Sequence, residues 1–324
     1  MMRLSISLFL CTILLFLLYG IAFSQTRRVT EMHLKRVQID LPVNYILQHV
    51  VVDSSDFQRE YGSKHGREAR VCTLFWSPND RFLSFTVSEI RTGDFDDVWL
   101  VDLLKRRTSC ISCKLAGNLF NFQNVWTINN TLIYEAAGGG FVKYLPSKDT
   151  IQFVKTSLWG DRLLDSLNKK EKCIRPVKYV IGGKLKKLAD RFTTEGYSTD
   201  ISISPDSSYL IWQERVANWI PANIGLLNLK NNHAYLLKVP VQNYGEFIAL
   251  AQAWNMKQGI IGITDSDGIL ELVDIRTQTD YVIGFKDFYV DGAVWSNDEK
   301  QLAIILYNKR GSARMVSVID NPIR

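Results

Sequence analysis

Four groups of residues in this chain have types and spacing that suit chemistry. Cys110-Ile-Ser-Cys113 has the two-residue gap of a dithiol redox pair. Ser166-Leu-Asn-Lys169 matches the Ser-x-x-Lys pattern of a hydroxyl nucleophile beside a lysine. Asp94, Asp96 and Asp97 crowd three carboxylates, hard oxygen ligands that suit a cation. Lys184, Lys186, Lys187 and Arg191 close a basic segment. Residues 155–192 hold eleven Lys/Arg against four Asp/Glu, a net +7 in a chain whose formal charge is +6. Charge gathered this way attracts an anionic partner, such as lipid headgroups or an acidic protein.

Each group also has a simpler explanation. The Cys110/Cys113 pair falls in a predicted fourth strand, away from any helix N-terminus that would lower a thiol pKa. Without a second ligand pair it is not a zinc site. A structural disulfide or buried thiols account for it. The Ser166/Lys169 match lacks its companion motifs, and the chain has neither a Gly-x-Ser-x-Gly elbow nor His-Glu-x-x-His. The aspartates read as a solvated loop, and His65 in Gly62-Ser-Lys-His-Gly66 as a loop residue without a ligand partner. No catalytic, cofactor or metal residue is assigned. Lys184, Lys186, Lys187 and Arg191 are the partner-binding candidates, although a solvated face of an inserted helix is the simpler explanation of them.

A repeat positions these groups. Trp76, Trp126, Ile203, Trp254 and Trp295 each begin a strand-end, polar-turn, strand unit, with the second strand six or seven residues on. Ser77-Pro-Asn-Asp80, Ser204-Pro-Asp-Ser207 and Ser296-Asn-Asp-Glu299 supply turn chemistry. A third strand ends in Asp102, Asn228, Asp274 or Asp320, and a polar turn leads to a fourth. Four short strands at a period of about 40–50 residues signify a β-propeller blade. A lone four-stranded sheet has two apolar faces, and stacking around an axis buries them. The fold expected is all-β, a propeller of five to six four-stranded blades. The last copy ends without its fourth strand. Tyr45–Val52 is strand-like and expected to supply it, closing the ring. Residues 155–196 interrupt the period as a basic insertion or a degenerate blade. Leu158 to Leu167 suggests a short helix there, and Val177–Leu188 a hairpin.

Trp76-Ser-Pro-Asn-Asp80-Arg-Phe-Leu-Ser-Phe85 with Asp97-Val-Trp-Leu-Val-Asp102 resembles the Tol-type repeat of TolB-like propellers, found also in prolyl oligopeptidase propeller domains. The likeness is good at 203–228 and 295–320, loose at 126–154 and 254–283, and covers about two thirds of the chain. It implies a blade type and leaves function open, because the fold hosts many activities. The α/β domain that precedes a TolB-like propeller does not fit in residues 25–70, and no hydrolase domain is present.

Three segments follow: 1–24, 25–70 with the ring-closing strand, and a propeller over 71–324. Arg3, the apolar run Leu4–Phe23 and Ala22-Phe23-Ser24 read as a signal peptide, with an uncleaved membrane anchor as the alternative. Either places the body outside the cytoplasm, periplasmic or secreted, where cysteines pair. Residues 53–70 read as a polar loop. The function expected is an exported, non-enzymatic scaffold for a protein or envelope component, possessing no nucleic-acid module. The alternative is a carbohydrate-binding or glycoside-processing propeller with carboxylates brought together from distant strands.

Overall fold

The computed structural model describes residues 29–65, 69–89, 97–114, 124–136, 140–156, 173–174, 183–194, 196–204, 206–217, 220–237, 254–255, 259–264, 268–309 and 314–323. The protein is mostly β, in five separate sheets. The chain begins with β1 (Val29–Met32), β2 (Lys35–Leu41), α1 (Val43–Gln48), β3 (Val50–Val52) and α2 (Ser54–His65). The first sheet follows: β4 (Ala69–Trp76), β5 (Phe82–Glu89), β6 (Asp97–Asp102) and β7 (Arg107–Cys110). The second holds β8 (Asn124–Thr127), β9 (Leu132–Glu135), β10 (Gly140–Leu145) and β11 (Thr150–Lys155), with β12 (Cys173–Ile174) added beside β8. After α3 (Gly183–Asp190) comes the third, β13 (Tyr197–Ile203), β14 (Tyr209–Ala217), β15 (Ile220–Asn228) and β16 (His233–Leu237). The fourth is β17 (Trp254–Asn255), β18 (Ile260–Thr264), β19 (Leu270–Asp274) and β20 (Thr279–Phe285). The fifth is β21 (Phe288–Trp295), β22 (Gln301–Asn308) and β23 (Arg314–Asp320).

In every sheet the consecutive strands form an antiparallel meander whose first hairpin turns on one left-handed residue: Asp80, Asn130, Ser207, Gly259 and Glu299, with φ between 54° and 73°. The hairpin joining third to fourth strand does the same at Arg106, Asp149, Asn232 and Gln278. Short polar residues and glycine tolerate this conformation, which accounts for most of the turn residues that recur in the sequence.

The anchor tryptophans join successive sheets. Trp76, Trp126, Trp254 and Trp295 are each 6% exposed or less. Trp126 packs with Phe82, Val98 and Leu100 of the first sheet. Trp254 joins Ile211, Ile224 and Leu226 of the third, and Trp295 joins Leu270, Leu272 and Ile283 of the fourth. Trp76 sits among Val294, Ile305 and Val316 of the fifth, and its indole N–H donates to the Val294 carbonyl at 3.0 Å. Buried aromatic surface is the largest single contribution a side chain makes to such a core. The third sheet has no tryptophan at its anchor, Ile203. Its second face, with Leu210, Trp212, Leu227 and Ala234, is covered by Ala189 and Phe192 at the end of α3. Gly225 stands opposite Trp212, where a Cβ would lie 2.0 Å from the indole, so only glycine lets that ring lie flat across the sheet.

The N-terminal strands run around the outer edges. β1 pairs parallel with β16, and β2 parallel with β20 over the seven pairs from Lys35↔Thr279 to Leu41↔Phe285. β3 pairs antiparallel with β23, Val52 opposite Val316, in the place of a fourth strand. The strand expected over Tyr45–Val52 is therefore only Val50–Val52. Residues 43–48 are helical because Ile46 turns inward to pack with Trp295 and Leu302. The polar stretch after Asp53, expected as loop, is α2. Asp53 caps it, its carboxylate accepting from Ser55 N–H while its own N–H donates to Asp56, and Phe57 and Tyr61 bury one helical face. His65 ends this helix.

One ion cluster fixes β2. Arg36 bonds Glu271 at 2.8 Å and lies 3.7 Å from Asp280, both carboxylates being buried in the fourth sheet. Burial pushes Asp280 above the usual carboxylate pKa, with Arg36 opposing it. A carboxyl with a raised folded pKa stabilises the fold below that pKa and loses the contribution as pH rises through it. Arg36→Ala should cost about 2–3 kcal/mol, with the loss growing as pH rises, measured by urea unfolding across pH. Deleting residues 29–52 should abolish the single cooperative transition. An unchanged midpoint and slope would show that these strands do not hold the sheets.

Candidate functional site

The turns that carry the sequence repeat are built for structure. Ser77 Oγ accepts from Phe82 N–H and donates to Asn79 at 2.7 Å. Ser204 with Asp206 and Tyr209, and Ser296 with Asp298 and Gln301, repeat the pattern. Burial would raise the Asp206 and Asp298 pKa values, but the serine hydroxyls and backbone N–H groups outweigh it and hold both low. Neighbouring turns are tied together. Asp80 accepts from the Asn297 backbone and side chain, both at 2.7 Å, and from Asp298 N–H at 2.9 Å. Asn79 N–H donates to Asn130, and Asn255 to the Glu299 carbonyl. The acids and amide at the ends of third strands, Asp102, Asn228 and Asp274, each accept two backbone N–H groups of the hairpin that follows. These polar groups are spent on one another.

The basic insertion supplies a different surface. Residues 183–190 form α3, so the hairpin expected over Val177–Leu188 is corrected at its second half; Lys-Leu-Lys-Lys-Leu places Leu185 and Leu188 one turn apart against the third sheet. Lys186 bonds both oxygens of Asp190 at 2.9 Å and donates to the Ser198 carbonyl at 3.3 Å. Asp190 in turn accepts from the Ser198 backbone and hydroxyl. Just beyond, Thr194 donates twice to the buried Glu214, at 3.0 Å each. Lys186 therefore docks the helix, while Lys187 and Arg191 are exposed one turn apart and have no partner among the described residues. The Lys184 side chain, Ser166, Lys169, Asp94 and Asp96, and the helix expected around Leu158–Leu167, lie outside the described residues.

A third cluster combines groups that the sequence shows apart. Cys110 and Cys113 form a disulfide. Asp97 is buried at the start of β6, and one of its carboxylate oxygens lies within 4.8 Å of both sulfurs. The β6–β7 register pairs Asp102 with Arg107 and Trp99 with Cys110, which carries Asp97 to the level of Ser112. Ser112 Oγ donates to Asp97 at 2.8 Å and accepts from Val98 N–H. Counting back from the tight turn at residues 103–106 would have shown this neighbourhood. Asp97 is thus a buried strand residue, and the solvated loop expected for it is corrected. Besides these clusters, a cavity of about 630 Å³ lies beside β2, between Asp40 and the cations Lys286 and Lys309. Lys309 donates to the Lys286 carbonyl and sits over the Tyr289 ring. No helix among the described residues is long and apolar enough to cross a membrane.

No protein-family model matches the chain, and no curated protein matches it. Solved structures with propeller domains resemble it weakly. TolB from Acinetobacter baumannii is 11% identical with TM-score 0.29, over 77% of this chain and 54% of that one. An oligogalacturonate lyase in complex with manganese is 10% identical with TM-score 0.31, over 77% and 63%. The tricorn protease is 11% identical with TM-score 0.31, over 78% and 25%. The chain thus spans between a quarter and two thirds of each of these proteins, at a likeness that carries no inference about activity.

Docking of α3 makes a measurable prediction. Burial would raise the Asp190 pKa, yet Ser198 and Lys186 hold it below the ordinary value. A depressed carboxylate stabilises the fold at neutral pH and loses that contribution as pH falls through its folded pKa. Asp190→Asn should cost about 1 kcal/mol at neutral pH, and its deficit against wild type should vanish in strong acid. Denaturant unfolding at both conditions checks this.

Proposed function

We propose that this chain is an exported β-propeller of TolB-like type that serves as a non-enzymatic scaffold for an anionic protein or envelope component. Its five sheets are the blades, and β3 completes the last blade and closes the ring. The segment at 1–24 acts as the leader, 25–70 as the outer strap and 71–324 as the propeller. What carries the reading is the exposed pair Lys187 and Arg191 on a helix tied to the third sheet by Lys186, Asp190 and Ser198. A fixed helix holds its cations in a defined geometry, so a partner loses less freedom to match them. The polar turns favour the same reading, because their hydroxyls and carboxylates are engaged within the fold.

The test is capture from a native envelope extract, comparing wild type with a variant carrying Lys184→Ser, Lys187→Ser and Arg191→Ser. Lys186 is retained because it docks the helix. A specific partner should be held by wild type and lost in the variant. Binding should also weaken as salt rises above about 0.15 M, where the screening length falls below about 8 Å. Equal capture by both proteins would remove α3 as the binding surface.

A further inference from the structure

We propose that Cys113, Cys110 and Asp97 form a thiol–disulfide exchange centre that oxidises a partner dithiol. The three groups come from two adjacent strands and the short turn at Ser112–Lys114. Their burial differs in the way an exchange pair requires. Cys110 is 5% exposed, whereas Cys113 is half-buried and is assigned as the attacked sulfur. Cys113 N–H donates to Cys110 Sγ at 3.1 Å, and Ser112 Oγ lies 3.6 Å from the same sulfur. The backbone N–H stabilises negative charge on Cys110, which makes it the leaving sulfur, while the Ser112 hydroxyl donates its proton to Asp97. A disulfide serving only to brace the chain gains most from closing a long loop, and this one spans a sequence separation of 3. A buried carboxylate, held by the Ser112 hydroxyl, lies within 4.8 Å of both sulfurs. Tyr134 of β9 also feels the Asp97 charge, and its hydroxyl is pushed above the ordinary tyrosine pKa by burial and then by Asp97, so it stays neutral and does not compete for the proton.

The exchange balances without any further reagent. A partner thiol gives its proton to the Asp97 carboxylate and attacks Cys113 Sγ. The partner S–Cys113 bond forms and the Cys110–Cys113 bond breaks. The electron pair leaves on Cys110, which takes the proton back from Asp97. The second thiol of the partner then attacks its own sulfur in the mixed disulfide, and Cys113 leaves carrying that thiol's proton. The partner dithiol is oxidised to a disulfide by two electrons, and Cys110 and Cys113 are reduced to thiols. The conversion of one turnover into many needs a disulfide of a second partner to reoxidise the pair.

The test uses the folded full chain with dithiothreitol as the dithiol probe, quenched by alkylation and read by mass spectrometry. Wild type should be reduced at Cys110 and Cys113 without denaturant. Cys110→Ser should trap a mixed disulfide on Cys113 when offered a small-molecule disulfide, at least about tenfold faster than Cys113→Ser traps one on Cys110. Asp97→Asn should keep the wild-type unfolding midpoint within error, or be compared at matched stability, and slow reduction about a hundredfold. Resistance to dithiothreitol until the protein unfolds would overturn the proposal in favour of a bracing disulfide. Equal trapping on the two cysteines would overturn the assignment of Cys113 as the attacked sulfur. An unchanged rate in Asp97→Asn would remove the carboxylate from the exchange.

Discussion

Each sheet of this protein has two apolar faces and a single chain with which to cover them. Burial of both faces is the constraint on which the rest depends. At four junctions an anchor tryptophan from one sheet enters the apolar face of the sheet before it. At the third sheet the anchor is Ile203, and α3 lies over the face that a neighbouring sheet's packing would otherwise cover. α3 is therefore part of the core on one side and surface on the other. This explains why Leu185, Leu188 and Phe192 alternate with lysines in the same short stretch. The binding role proposed for Lys187 and Arg191 follows from that division, since a helix fixed by its apolar side presents its charges at fixed positions.

The second constraint is local. The first hairpin of each sheet, and each described hairpin from third to fourth strand, places one residue in the left-handed region, and strand ends there must satisfy backbone N–H groups that the ladder leaves over. Short side chains bearing an oxygen do both, so serine, aspartate and asparagine recur at fixed offsets. A cluster of such residues resembles a polar site when seen as sequence. In the structure the Ser77 hydroxyl donates to Asn79, and the Asn297 amide of a second sheet donates to the Ser77 carbonyl and the Asp80 carboxylate. The exchange centre proposed at the disulfide beside Asp97 lies apart from these turns.

How much of this was legible follows from the range of the interactions. Turn chemistry and strand alternation are local, so the five units, their anchors and the third-strand acids could be read directly from spacing. The capped helix α2 was also legible, since Asp53 lies three residues before Asp56 and Phe57 four before Tyr61, yet its polar composition concealed it. The pairing of β1 and β2 was not legible. Val29 meets Ala234 and Lys35 meets Thr279 across some two hundred residues, and nothing in either short strand encodes a parallel partner. Ile46 looked like a strand residue because a β-branched side chain is equally at home on a buried helical face. The nearness of Asp97 to Cys110 rests on hairpin register, which is legible only after the turn is placed.

The outer strap has a consequence for how the chain becomes a protein. β1, β2 and β3 are made before any sheet they complete, and β3 waits for β23, near the far end of the chain. Synthesis from the N-terminus thus leaves β1 waiting for β16, β2 for β20 and β3 for β23, so the three edges are satisfied in turn. The pairing of β3 with β23 is strongly non-local, which slows the step that forms it. The fifth sheet therefore gains its last strand only after β23 has been made.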